Sequence, residues 1–309
     1  MTFLSIICIL IFEQFKALPA ARIHSGQAAY AAFLERQFNA GEYRHGVTAW
    51  GVGVALPTLL ILTLQLVLDY LSPLLAFAFG LVLLYLSMGF RQFSHYFTDI
   101  QLALRMGELE RARNLLAAWR GQGAERLGSA EIARLAIEQG IVAAQRHVFA
   151  PLFWFVLLGP AGAVLYRLAL AMTQHWPAED AVAAPEGGRF GRFARRAFQA
   201  LDWLPARLTA VTFAIVGDFE DAVYCWRTQA GQWPDAASGI LLSSGAGALG
   251  IRLGMPLPDV VGIEARPELG LGEDAAVEHL QSAIGLVWRA LVLCLLLLAL
   301  LSVAYWVGG

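Results

Sequence analysis

The sequence predicts an all-α polytopic membrane protein, with four to six membrane helices and one amphipathic helical loop domain. Three observations carry that expectation. Of 309 residues, 58% are hydrophobic and only 15% charged, with a mean hydropathy of +0.58, whereas a soluble domain carries roughly 25% charged residues. Several uncharged runs approach or exceed the ~20 residues that a helix needs to cross a hydrocarbon core. The segments between them repeat their apolar residues about once per helical turn. This composition excludes disorder, a basic nucleic-acid-binding arm and an ordinary soluble enzyme. The net charge of −2 leaves no global positive field for nucleic acid. Lys16 is the one lysine, so nearly all the basic charge is arginine.

Taken in chain order, residues 2–12 are apolar but short, and Lys16 follows the apolar part instead of preceding it. That order argues for a short or tilted membrane helix that stays attached, not a signal peptide. Residues 47–68 are uncharged. Asp69 follows, then residues 70–90 form a second uncharged run ended by Arg91. The pair reads as a helical hairpin turning over 69–73, because Pro73 lacks a backbone donor and suits the first turn of a helix. Residues 148–166 form a third spanning candidate. Residues 291–307 form a fourth, with Tyr305 and Trp306 as interfacial anchors. Residues 208–216 are apolar but too short to span, and read as a re-entrant or interfacial helix.

Between these runs, residues 92–118 mix Leu with Arg and Glu. A second amphipathic helix begins with Ser129 as its N-cap. Residues 177–188 read as a Pro/Gly/Ala/Glu loop, and residues 238–272, rich in Gly and Pro, as irregular chain. The expected organisation is N-terminal membrane helices over 1–90, a cytoplasmic helical segment over 91–147 and a central membrane segment over 148–217. A Gly/Pro-rich acidic region over 218–289 and a C-terminal membrane helix over 290–309 complete it. Arginine distribution places the 91–146 loop in the cytoplasm. The arginines of 167–196 then fall across the membrane, against the same rule.

Soluble-enzyme signatures are scarce. The glycines of 244–250 loosely resemble a phosphate-binding loop, but no lysine follows. A glycine-rich turn where backbones pack closely is the plainer reading. The scattered histidines include no i, i+4 pair and Cys8, Cys225 and Cys294 fit no metal spacing, so no metal site is expected. Ionisable residues at the edges of apolar runs are more informative, because charge at membrane depth costs a few kcal/mol and faces a cavity or a partner. Glu13, Asp69, Arg91, Arg167, Asp202, Arg207 and Asp218 occupy such edges. Asp202 and Arg207 flank Pro205, whose bend could bring both into one pocket. A guanidinium there would hold a phosphate or carboxylate bidentately; a buried Asp–Arg pair at a helix break is the structural alternative.

The order of short strings adds a family resemblance. SAEIARLAIE (129–138), APLFW (150–154), GAVLYR (162–167), FG (190–191), DWLPARLTA (202–210), AGALGIRLG (246–254) and PELGLG (267–272) occur in the order and spacing of the CobD/CbiB membrane proteins of cobalamin biosynthesis. The chain resembles that family nearly end to end, as a divergent member, and shares features with AmpE-like proteins. The resemblance implies an adenosylcobinamide-phosphate synthase: an amide bond joins adenosylcobyric acid to an aminopropanol phosphate. It also implies a corrinoid substrate and, for a synthase, Mg and ATP. Some synthase motifs are absent. The Glu-Asn-Thr-Ser-Asp-Gly run before APLFW is replaced by residues 142–147, and the Asn-Thr-Leu-Asp-Ser-Met run by residues 168–173. The Asp-Asp pair before DWLPARL is replaced by Phe198 and Gln199. These losses leave an AmpE-like, non-enzymatic role in cell-wall or β-lactamase signalling as the alternative. The matched charges Arg91, Glu138, Asp202, Arg207 and Arg252 are the ligand-pocket candidates, as charge clamps; Trp154 and Pro205 read as structural. Expected partners are the lipid bilayer of a bacterial inner membrane, a corrinoid or phosphate-bearing small molecule, and membrane or homo-oligomer partners, with no nucleic acid.

Overall fold

Proline, glycine and the length of each apolar run decide where the helices begin and end. The computed structural model describes residues 5–7, 9, 20–88, 90–176, 189–256 and 266–308. Most of the expected 2–12 helix, the 177–188 loop and the side chains of Tyr305 and Trp306 lie outside the described residues. The chain divides into two compact units, residues 1–89 with 146–204, and residues 90–145 with 205–309.

In the first unit, α1 (Ala20–Phe38) precedes α2 (Tyr43–Trp50), a π-helical turn (Gly51–Ala55) and α3 (Leu56–Leu71). The wider π turn leaves a backbone carbonyl to a side chain, and Tyr30 donates its hydroxyl to the Gly53 carbonyl at 3.1 Å. The hairpin turn falls where Pro73 predicts it. Ser72 is extended (φ −163, ψ 116) and Pro73 opens α4 (Pro73–Ser87). At 15 residues, α4 is about 22 Å long, short of a ~30 Å hydrocarbon core.

The third expected span, residues 148–166, is not one straight rod. α8 (Ala150–His175) breaks at Gly159 (φ 63, ψ −153), directly before Pro160. The arms fold back on each other: a Cβ on Gly162 would lie 2.2 Å from the Trp154 carbonyl oxygen, and Arg167 reaches His147. Residues so far apart in sequence meet only if the chain reverses. Pro160 supplies no N–H to bridge the break, and Gly159 adopts a backbone conformation nearly closed to other residues. The core of this unit joins Ala31, Leu34, Val54, Tyr166, Leu170, Trp176, Phe190 and Phe198. The Trp176 indole donates to the Ala31 carbonyl at 3.0 Å, and Trp154 donates to the Leu201 carbonyl at 3.3 Å, which gives Trp154 its structural place.

The second unit contains α5 (Phe90–Arg105), α6 (Leu109–Arg120), α7 (Ser129–Ala144), α10 (Phe219–Gln229), α11 (Ala236–Leu249) and α12 (His279–Gly308). The helix α9 (Arg192–Val216) runs through Pro205, so the expected short 208–216 helix is the end of a longer one. Ser129 is not the N-cap of α7. Gly128 is, and the Glu131 carboxylate accepts its N–H. Part of the 238–272 stretch expected to be irregular is the buried helix α11 followed by a small sheet. Its glycines serve close packing: a Cβ on Gly247 would lie 2.5 Å from the Asp221 carbonyl oxygen of α10. β1 (Ile251–Gly254) is central, antiparallel to β2 (Glu268–Gly270) with Leu253 opposite Leu269, and parallel to β3 (Glu273–Asp274).

Among the described residues three helical stretches are long and apolar enough to cross a membrane: Tyr43–Leu71, Ser129–His175 and His279–Ala304. Leu60, Leu66, Leu75, Leu300 and Leu301 stand exposed on α3, α4 and α12. In water, apolar surface on that scale marks an interaction face; against lipid tails it is the ordinary outer surface of a helix. The protein is an all-α membrane protein that presents these faces to the bilayer.

Candidate functional site

Polar side chains inside such a protein need partners, and the second unit gathers its buried charges around α7 and β1. Glu138 projects from α7 and is 7% exposed. Its Oε1 accepts the backbone N–H of Gly254 at 2.9 Å, and its Oε2 accepts from Arg266 Nη2 at 2.5 Å. One carboxylate therefore ties the end of β1 and the guanidinium just before β2 to α7. The Arg266 guanidinium also lies 5.5 Å from the Trp233 ring centre, a stacked position that suits its weakly hydrated face.

Arg252 lies on β1, two residues before Gly254. It pairs with Asp274 at 2.9 Å and Glu268 at 3.4 Å, across the neighbouring strands. Gln229 of α10 braces the same sheet: its Oε1 accepts the Gly270 N–H at 2.6 Å and its Nε2 donates to the Gly270 carbonyl at 3.2 Å. Met255 follows β1 with φ 68, the one non-glycine residue with positive φ among the described residues. Such a conformation costs of order 1–3 kcal/mol and persists only where its surroundings enforce it.

Arg134 is one turn before Glu138 on the same face of α7. Its Nη1 donates to the Met255 sulfur at 3.1 Å, and its Nε is buried without a partner. A thioether is a weak acceptor. Glu138 answers Arg266, and Glu268 with Asp274 answer Arg252; Arg134 is the cation of this group with no carboxylate among the described residues. The arrangement can receive a compact anion at a half-buried guanidinium.

The other predicted residues lie elsewhere. Arg207 is half-buried on α9, where burial pushes its guanidinium pKa down. Arg91 falls in the first turn of α5, its side chain outside the described residues. Asp202 belongs to the first unit. It is buried and accepts the Tyr166 hydroxyl at 2.8 Å.

The structure thus brings Glu138 to the strand that carries Arg252, and it adds Arg134 and Arg266, which sequence reasoning missed. Arg134 was available as the i−4 partner of Glu138 inside SAEIARLAIE, and Arg266 as the residue directly before PELGLG. Of the positions that replace the synthase run, 142–144 are apolar and 145–147 polar: Gln145 is fully buried and accepts from Thr209 at 2.6 Å.

The matched strings coincide with these contacts. SAEIARLAIE supplies Arg134 and Glu138, AGALGIRLG supplies β1, and PELGLG supplies β2. A family described as "CobD/Cbib protein" matches residues 8–287. A relative from Stutzerimonas stutzeri (strain A1501), named Cobalamin biosynthesis protein CobD, is 37% identical over 269 residues, 86% of each chain. A Chromobacterium violaceum relative of the same name is 36% identical over 219 residues, 71% of this chain and 69% of its own. One from Mycobacterium tuberculosis (strain CDC 1551 / Oshkosh), again of that name, is 29% identical over 189 residues, 59% of this chain and 58% of its own. No solved structure matches. These names do not favour the AmpE-like alternative, and the match over most of the chain settles the family: this protein is a member of the CobD/CbiB family.

Proposed function

We propose that the protein acts in cobalamin biosynthesis at a bacterial inner membrane, joining a corrinoid carboxylate to an aminopropanol phosphate as an adenosylcobinamide-phosphate synthase does. The observation that carries the reading is the Glu138 centre. Family-matched strings that are far apart in sequence converge there, and Arg134 is left able to take an anion. Amide formation needs an activated carboxylate, a nucleophilic amine and a clamp that holds the phosphate end still. In this reading Arg134 is the clamp, and Arg252, paired with Glu268 and Asp274, is a charge clamp on β1 that a substrate anion would have to share with them. Glu138 and Arg266 are positioning residues that hold β1 and the pre-β2 segment against α7. Arg91, Asp202 and Arg207 serve as further charge clamps.

The carboxylates of this centre do not fit a magnesium ion. Both Glu138 oxygens accept from N–H donors, and Glu268 and Asp274 neutralise Arg252. The glycines of 244–250 do not fit a nucleotide phosphate either, because Gly245 and Gly247 are packed within α11 and Gly250 is its C-cap.

The test is growth on cobyric acid of a bacterium lacking its adenosylcobinamide-phosphate synthase. Expression of this chain restores growth if the reading is right. A protein that reaches the membrane in quantity and leaves the strain auxotrophic overturns it.

A further inference from the structure

The first unit holds a buried cation that the reading above does not use. Arg167 lies on the second arm of α8 and is 4% exposed. Its Nη1 lies 2.6 Å from His147 Nδ1, across the fold-back at Gly159. Its Nε is buried with no partner, and no ion pair among the described residues includes it.

A guanidinium has five donors, no acceptor and no readily lost proton. His147 Nδ1 is therefore the acceptor in this contact. This contact satisfies one N–H and none of the charge. Tyr166, the adjoining buried residue, donates its hydroxyl to Asp202. Removing an ion from water costs several kcal/mol unless a counter-charge compensates. Inside a membrane helix such a charge marks a ligand path or a proton path. Here the neighbouring group is a histidine ring, which accepts from the guanidinium.

We propose that Arg167 and His147 form an anion-binding site within the first unit, for a compact oxyanion such as a phosphate monoester or a carboxylate. The oxyanion displaces His147 from Nη1, takes the Nη and Nε hydrogens as a fork, and accepts the proton that the His147 ring redistributes to Nδ1. The fork geometry of the guanidinium suits a planar or tetrahedral oxyanion. If the proposed function holds, the oxyanion is the carboxylate or phosphate of a substrate, and that clause rests on that reading.

The full-length protein, labelled with 15N-histidine and held in nanodiscs of zwitterionic phosphatidylcholine, tests the site. His147→Gln assigns the His147 ring signal. Inorganic phosphate is then titrated, with acetate in a parallel arm and anionic phosphatidylglycerol nanodiscs in a third. Wild type shifts the His147 ring saturably with phosphate or acetate; the same shift already present in phosphatidylglycerol supports the site and identifies a lipid headgroup as its source. Arg167→Gln weakens the response at least about tenfold, the loss of a charge-assisted hydrogen bond. Arg167→Lys, which keeps the charge and the fold, retains a weaker response. A His147 signal that moves in no arm, or that moves equally in Arg167→Gln, overturns the proposal. Growth complementation is scored separately, so a failed cobalamin reading and a failed anion site give different results.

Discussion

Glu138 shows how much one buried side chain can organise. Its two oxygens accept from β1 and from Arg266, so truncation leaves a buried guanidinium without its counter-charge. Breaking such a pair costs about 3–5 kcal/mol, whereas an isosteric amide keeps part of the hydrogen bonding. Glu138→Ala is expected to lower the thermal midpoint of the detergent-solubilised protein by much more than Glu138→Gln. Equal midpoints for the two variants would show that the ion pair is not what holds β1 to α7. Cys225 makes a second prediction at this scale. Burial is the main cause that raises its thiol pKa to about 11. Raising the pKa keeps the thiol protonated below that value, and the thiolate is the nucleophile. Alkylation at pH 8 is therefore expected to be slow in the folded protein and fast after denaturation; rapid labelling of folded protein would contradict its burial. Glu138 was visible in the sequence only as a member of a matched string. Arg134 and Arg266 were not singled out, because nothing in a one-dimensional pattern shows that Glu138 faces Gly254 and not solvent.

At the scale of elements, turns were legible where a polar residue or a proline interrupted the apolar run. The hairpin over 69–73 combines Asp69, Ser72 and Pro73, and it forms as expected. The reversal at Gly159 was not legible, because Gly159 and Pro160 sit inside an uninterrupted uncharged run that has the length of a single span. The glycines of 244–250 misled in the opposite direction. In a polar chain such spacing suggests a turn, but between apolar helices small residues let backbones approach, as Gly247 does against α10. Gly159→Ala separates conformation from packing. A Cβ there would meet no atom within 4 Å, so any cost comes from the backbone conformation, which is worth about 1–3 kcal/mol. The variant is expected to unfold at a lower temperature and to loosen the Trp154–Gly162 contact, read as a longer spin-label distance between the arms of α8. Unchanged stability would mean that the arms do not depend on this glycine to reverse.

For the whole molecule, composition alone was enough to place the chain in a membrane, and the exposed leucines of α3, α4 and α12 give that inference its surface. Composition could not show how the scarce charges are used. Among the described residues the buried ones are Glu138, Arg167 and Asp202, and each lies in a string that carries the family resemblance. The replaced synthase runs are largely apolar, over 142–144 and 168–172, but Gln145 and His147 keep hydrogen bonds in the interior. Under the proposed function, cobalamin biosynthesis depends on the Glu138 centre, with Arg134 as its anion clamp. The most direct measurement is growth of the synthase-deficient strain on cobyric acid with wild type, Arg134→Gln and Glu138→Ala, each quantified in the membrane fraction. Wild type is expected to restore growth, Arg134→Gln to abolish it at normal membrane levels, and Glu138→Ala to abolish it with reduced levels. Full growth supported by Arg134→Gln, or none supported by a well-inserted wild type, would contradict the account.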